Sequence, residues 1–157
     1  ELLDLLAYRN KGEAHVTPNL NEFRQDLLKQ FVRVGDPILD DCRADFGGIE
    51  SAQVFPREIP DFYRGRAVTV YGRFDPKTKK DFVTRLTGRA AQQKKEVVFK
   101  ADLATARSGD ESIAREWAFQ RIYFLIGEIC RVGEKPELTA ELRRLSNTYK
   151  IKTSYSQ

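Results

Sequence analysis

The chain has 157 residues, 41% hydrophobic and 32% charged, with a formal net charge of +4. That suffices for one domain or two small ones with a buried core, and it excludes a disordered chain. The apolar runs fall far short of the ~20 residues that cross a bilayer, so no membrane partner is expected.

Residues 1–35 read as helix, strand, helix. Leu2, Leu3, Leu5, Leu6 and Tyr8 make one apolar helical face, ended by Asn10-Lys11-Gly12, where Gly12 suits a left-handed cap. A brief strand is expected at 13–17. Leu20, Phe23, Leu27, Phe31 and Val34 then recur at helical spacing. A strand between two helices is an α/β fragment whose parent sheet must lie upstream. The chain also lacks methionine, and we read it as a piece of a longer polypeptide.

Residues 36–105 switch to a period of two, after Asp36-Pro37 breaks the helix. Strands are expected at about 38–46, 51–55, 67–74, 81–90 and 95–103, separated by turn residues including Asp75-Pro76-Lys77. Pairing Phe74 with Phe82 sets Val70 opposite Leu86 and Tyr71 opposite Arg85. Folding the next strand back sets Leu86 opposite Phe99, Arg89 opposite Glu96 and Arg85 opposite Lys100. The result is an antiparallel, β-sandwich-like layer with one apolar face.

Residues 106–157 are helical. Ser108-x-x-Glu111 is box-like, and a helix follows over about 112–132. Trp117, Ala118, Ile122, Leu125 and Ile129 form its stripe; Gly133 stops it and Pro136 opens another helix carrying Leu138, Leu142, Leu145 and Tyr149. Trp117, Leu86 and Phe99 are the expected core, with the Trp117 helix lying across Val70, Leu86, Val97 and Phe99. The tail from Lys150 to Tyr155 alternates like an edge strand.

The fold class is therefore α+β: an α/β edge, an antiparallel β layer and two C-terminal helices. No phosphate loop or nucleophile elbow occurs, and no convergent catalytic set appears, so the chain reads as no enzyme. His15 is the single histidine and has no neighbouring ligands. Cys42 and Cys130 read as two buried free thiols, with a single bridge as the alternative. Asp40 and Asp41 point to opposite faces of a strand and read as solvated surface. No cofactor or metal is expected in this chain.

Charge is unevenly spread. Residues 1–63 carry net −5, residues 64–100 net +8 and residues 101–157 net +1. The lysines at 77, 79, 80, 94 and 95 suit loop tips that guard strand edges. Arg73, Arg85, Arg89 and Lys100, with Tyr71 beside them, share one face in the expected register and form a possible anion-binding set. Opposed Arg85 and Lys100 would repel, and a bound polyanion would offset that repulsion.

Several stretches carry a resemblance. They are Gly12-Glu13-Ala14-His15-Val16, Asp36-Pro37-Ile38-Leu39, Phe62-Tyr63-Arg64-Gly65 and Val68-Thr69-Val70-Tyr71-Gly72-Arg73. Arg115-Glu116-Trp117-Ala118 and Leu145-Ser146-x-x-Tyr149-x-Ile151-x-Thr153-Ser154-Tyr155-Ser156 follow. In this order they resemble the region that closes and follows the von Willebrand factor A (VWA) domain in inter-alpha-trypsin inhibitor heavy chains and related VIT/VWA proteins. The resemblance implies that residues 1–35 end a VWA domain, 36–105 form the following β-sandwich segment and 106–157 the helical tail. It implies an adhesion-type, non-enzymatic interaction module whose partner is the upstream VWA/VIT part of the same parent, in a secreted or cell-envelope setting. Any divalent metal would be held by that upstream domain. Thr153-Ser154 departs from the family's Thr-Pro. The missing upstream part would leave apolar surface and strand edges open, so self-association is also expected.

Overall fold

The computed structural model describes residues 2–12, 14–35, 37–75 and 81–155. The fold is α+β. Its elements in order are α1 (Leu2–Arg9), α2 (Phe23–Val34), β1 (Pro37–Asp45), β2 (Val54–Phe55), β3 (Phe62–Tyr63), β4 (Tyr71–Gly72), β5 (Asp81–Ala90), β6 (Gln93–Asp102), α3 (Glu111–Val132) and α4 (Pro136–Tyr149). They fall into two compact units, each discontinuous in sequence. The first is Glu1–Gly48, Glu58–Thr69 and Asp81–Ala101; the second is Ile49–Arg57, Val70–Lys80 and Asp102–Gln157. The expected β segment, 36–105, is thus shared between the two.

In the first unit α1 ends as the Gly12 N–H reaches the Ala7 carbonyl at 2.8 Å. The left-handed position belongs to Lys11, not Gly12. Residues 14–17 form no strand, and Glu13 lies outside the described residues. An extended segment becomes a strand only where a neighbour completes its ladder. α2 starts at a turn in which the Asn21 N–H donates to Asn19 Oδ1 at 3.0 Å. Its apolar side chains at Phe23, Leu27, Leu28, Phe31 and Val32 are exposed.

The first unit's sheet runs β3-β1-β5-β6. The expected hairpin between 67–74 and 81–90 does not form: β5 pairs with β1, and Tyr71 pairs with Phe55 in a separate two-stranded sheet, β2-β4. The turn expected at Asp75-Pro76-Lys77, with Lys77, Lys79 and Lys80, lies outside the described residues beyond Asp75. Asp36, expected to break the helix, also lies outside them. β1 reaches β5 through a bulge, with Asp40 opposite Arg89 and Arg43 opposite Thr87, three steps against two. Asp41 takes a left-handed conformation within the bulge, φ +49°. Gly88 faces this irregularity, where an added Cβ would stand 2.6 Å from Leu39 Cγ and 2.9 Å from the Asp40 carbonyl oxygen.

Ala91 and Gln92 both take positive φ, +47° and +64°, which makes the β5–β6 connection a two-residue type I′ loop. Such a loop sets Ala90 beside Gln93, a shift of two residues from the expected register. Leu86 is buried, opposite Ala44 of β1. Phe99 is not core: it is 55% exposed on the edge strand β6, all of whose residues are exposed.

The second unit holds the larger core, formed by Phe55, Trp117, Ala118, Ile122, Leu125, Ile129, Leu142, Leu145 and Ile151. The Trp117 stripe is buried as its spacing requires, but its partners differ from those expected. Trp117 meets Phe55 edge-on at 5.9 Å, and its indole N–H donates to the Gln53 carbonyl at 2.8 Å. Asp110, rather than Ser108, caps α3 by accepting from the Ser112 N–H. Hydrogen bonds from the Ser112 hydroxyl first, and then from its N–H, hold the Asp110 carboxyl below its ordinary value. A group depressed by folding stabilises above its unfolded pKa and loses that contribution as acid protonates the folded form. Asp110→Ala should therefore lower the melting temperature at neutral pH, with the difference closing as pH falls below the ordinary carboxylate value.

Gly133 ends α3 with φ +83°, and Pro136 stands in the first turn of α4. Arg121 of α3 grips Glu141 of α4 with two bonds, 2.9 and 2.8 Å. Glu141→Ala would leave a mostly buried guanidinium without this fork and should cost about 1–3 kcal/mol in urea unfolding. The tail is a capping turn, not an edge strand. Lys150 is left-handed and the Ile151 N–H returns to the Ser146 carbonyl at 3.0 Å, burying Ile151.

Candidate functional site

The expected anion-binding set divides between the two units. Arg85, Arg89 and Lys100 belong to the first, Tyr71 and Arg73 to the second. In the first unit, β1 supplies acids to both arginines of β5. Arg89 Nε bonds Asp40 Oδ1 at 3.1 Å, and Asp45 stands opposite Arg85. From β6, Glu96 reaches Arg85 at 3.1 Å. The expected clash of Arg85 with Lys100 is thus replaced by an Arg85–Glu96 ion pair. The face alternates in charge because β5 borders acidic β1 rather than the 67–74 stretch, whose one charged residue is Arg73.

A cleft of about 350 Å³ beside this face is lined by Asp41, Arg43, Thr87, Gly88, Arg89, Gln92 and Lys94. Sequence reasoning missed Arg43 and Lys94 there. The bulge after Asp40 changes which residues share a face, and a strict period of two does not register it.

In the second unit a cleft of about 340 Å³ is lined chiefly by Tyr71, Arg73, Arg107, Asp110, Trp117 and Tyr149. The Arg73 guanidinium lies 4.7 Å over the Trp117 ring, a cation–π contact. Tyr71 packs against the Trp117 core. Both residues therefore wall an aromatic cleft, and neither belongs to the sheet that carries Arg85 and Arg89. Arg107 and Tyr149 were not expected here; they approach through the loop before α3 and the last turn of α4.

The two thiols are free. Cys42 is buried and Cys130 exposed, which corrects the expectation of two buried thiols. Burial first, and then Asp61, push the Cys42 thiol up, so it stays protonated and unreactive. His15 stands 3.8 Å from Asp26, half exposed. Among the described residues, no group of three or more His, Cys, Asp or Glu is placed to hold a metal ion. No helix among them is long and apolar enough to cross a membrane. No protein-family model matches this sequence, and no curated protein matches it.

Proposed function

We propose that the chain is a non-enzymatic protein-interaction module of a VIT/VWA-type protein. The distribution of apolar surface carries this reading. Among the described residues, all exposed large apolar side chains except Phe74, Ile113, Phe119 and Val132 belong to the first unit. On α2, Phe31 is 69% and Val32 84% exposed. A 12-residue amphipathic helix gains its stability from packing, so α2 is read as a surface that a partner covers. In the VIT/VWA reading that partner is the upstream VWA/VIT part of the parent, whose sheet would also supply the neighbour that residues 14–17 lack.

The test is a longer parental polypeptide that includes the natural upstream residues. The α2 amides should exchange more slowly there than in this chain alone, and Phe31→Asp should remove the difference. Unchanged α2 exchange would overturn the reading. An upstream D-x-S-x-S after an apolar strand would support the VIT/VWA assignment, and its absence would remove it.

Arg43, Arg89 and Lys94 around one cleft favour a second reading, polyanion binding. Heparin retention that falls with salt and with Arg43→Ala plus Lys94→Ala would support it. In that case Arg85→Ala plus Lys100→Ala should have the smaller effect, because acids flank Arg85. Failure to bind heparin at low ionic strength would exclude it.

A further inference from the structure

We propose that β6 pairs antiparallel with β6 of a second copy of this chain, with Val98 on the two-fold axis, joining two four-stranded sheets edge to edge. The inference rests on the interaction-module reading and names this chain as one of its own partners, through an element other than α2.

The backbone is arranged for it. β6 is the last strand of its sheet, and every one of its ten residues is exposed. Residues flanking a two-residue loop form a hydrogen-bonded pair, so Gln93 and the odd-numbered residues after it turn their amides towards β5. The even-numbered residues from Lys94 to Asp102 then direct N–H and C=O groups outward. Such an edge is a template for another strand.

The side chains select the occupant and the register. With Val98 on the axis, Glu96 faces the partner's Lys100, Lys94 faces the partner's Asp102, and Val97 faces the partner's Phe99. Both charged pairs are opposite in sign, and each occurs twice by symmetry. Val97, Val98 and Phe99 are 43%, 45% and 55% exposed, so the pairing covers apolar surface. Glu96 already meets Arg85 at 3.1 Å within its own sheet, and the partner's Lys100 approaches from the open side. Neighbouring symmetric registers fail. Centring on Val97 sets Lys94 against Lys100, and centring on Phe99 sets Glu96 against Asp102. Centring on Glu96 or Lys100 sets that charge against itself. The lysines that guard this edge against foreign strands are thus matched by acids of the same strand read in reverse.

Sedimentation velocity on wild type, Glu96→Lys, Lys100→Glu, their equimolar mixture and Phe31→Asp tests the pairing. Wild type should form a concentration-dependent dimer, and each charge reversal should weaken it on the order of tenfold. The mixture should restore it, because across the axis one site then holds the reversed pair and the other the native pair. Restoration in trans also shows that both variants fold. A monomeric wild type, unaffected single variants or a monomeric mixture would each overturn the pairing. Association abolished by Phe31→Asp but indifferent to the charge reversals would also overturn it, while leaving the module reading through α2 standing.

Discussion

Trp117→Ala should lower the unfolding free energy of the second unit by about 3–5 kcal/mol, the range for removing a buried aromatic. The ring is 5% exposed, and four separate interactions converge on it. It packs within the α3 stripe, meets Phe55 edge-on, donates to the Gln53 carbonyl and lies beneath the Arg73 guanidinium. Truncation opens a cavity and leaves the Gln53 carbonyl without its indole donor. Denaturant unfolding monitored by far-ultraviolet dichroism would read the loss, and hydrogen exchange should confine the loosening to α3, α4, β2 and β4. Emission typical of an exposed indole in the folded wild type would contradict this placement.

Gly88→Ala should cost about 1–3 kcal/mol in the first unit, and Gly88→Val more, because the site has no room for a Cβ. The nearest atoms are Leu39 Cγ and the Asp40 carbonyl, on the strand that bulges opposite. Leu39 can rotate aside, but the carbonyl belongs to the backbone that anchors Arg89 through Asp40. The exchange rates that rise should be those of β1 and β5. A variant as stable as wild type would show that the bulge relaxes freely.

The helical half was legible because its signals are local. Trp117 to Ile129 repeat at helical spacing, Gly133 and Pro136 mark a stop and a start, and each determines structure within a turn or two of itself. The strand 81–90 was equally clear as a strand. Its partner was not, because pairing is a long-range choice. The alternation of 67–74 suits β5 as well as that of 38–46 does, and a bulge at Asp41 hides the true register. That single choice decided the fate of the anion set. With β1 as neighbour, Asp40 bonds Arg89 and Asp45 stands opposite Arg85, arginines that a neighbour without acids would have left to an external anion. Phe99 was misplaced for a related reason. Period two assigns a face, but burial requires an element over that face, and β6 lies at the edge. The left-handed positions at Lys11 and Lys150 escaped notice because glycine is the usual signal for that conformation, and Gly12 stood one residue away.

Amide exchange of the wild-type chain, followed as a function of its concentration and again within the proposed VIT/VWA-type parental polypeptide, tests most directly whether the first unit presents contact surfaces. The even-numbered amides of β6 should gain protection as concentration rises, and the α2 amides should gain it in the parental polypeptide. Amides of α3 and α4 should remain constant throughout. If α2 and β6 exchange at the same rates in every sample, neither surface is a contact site, and the interaction-module reading is contradicted.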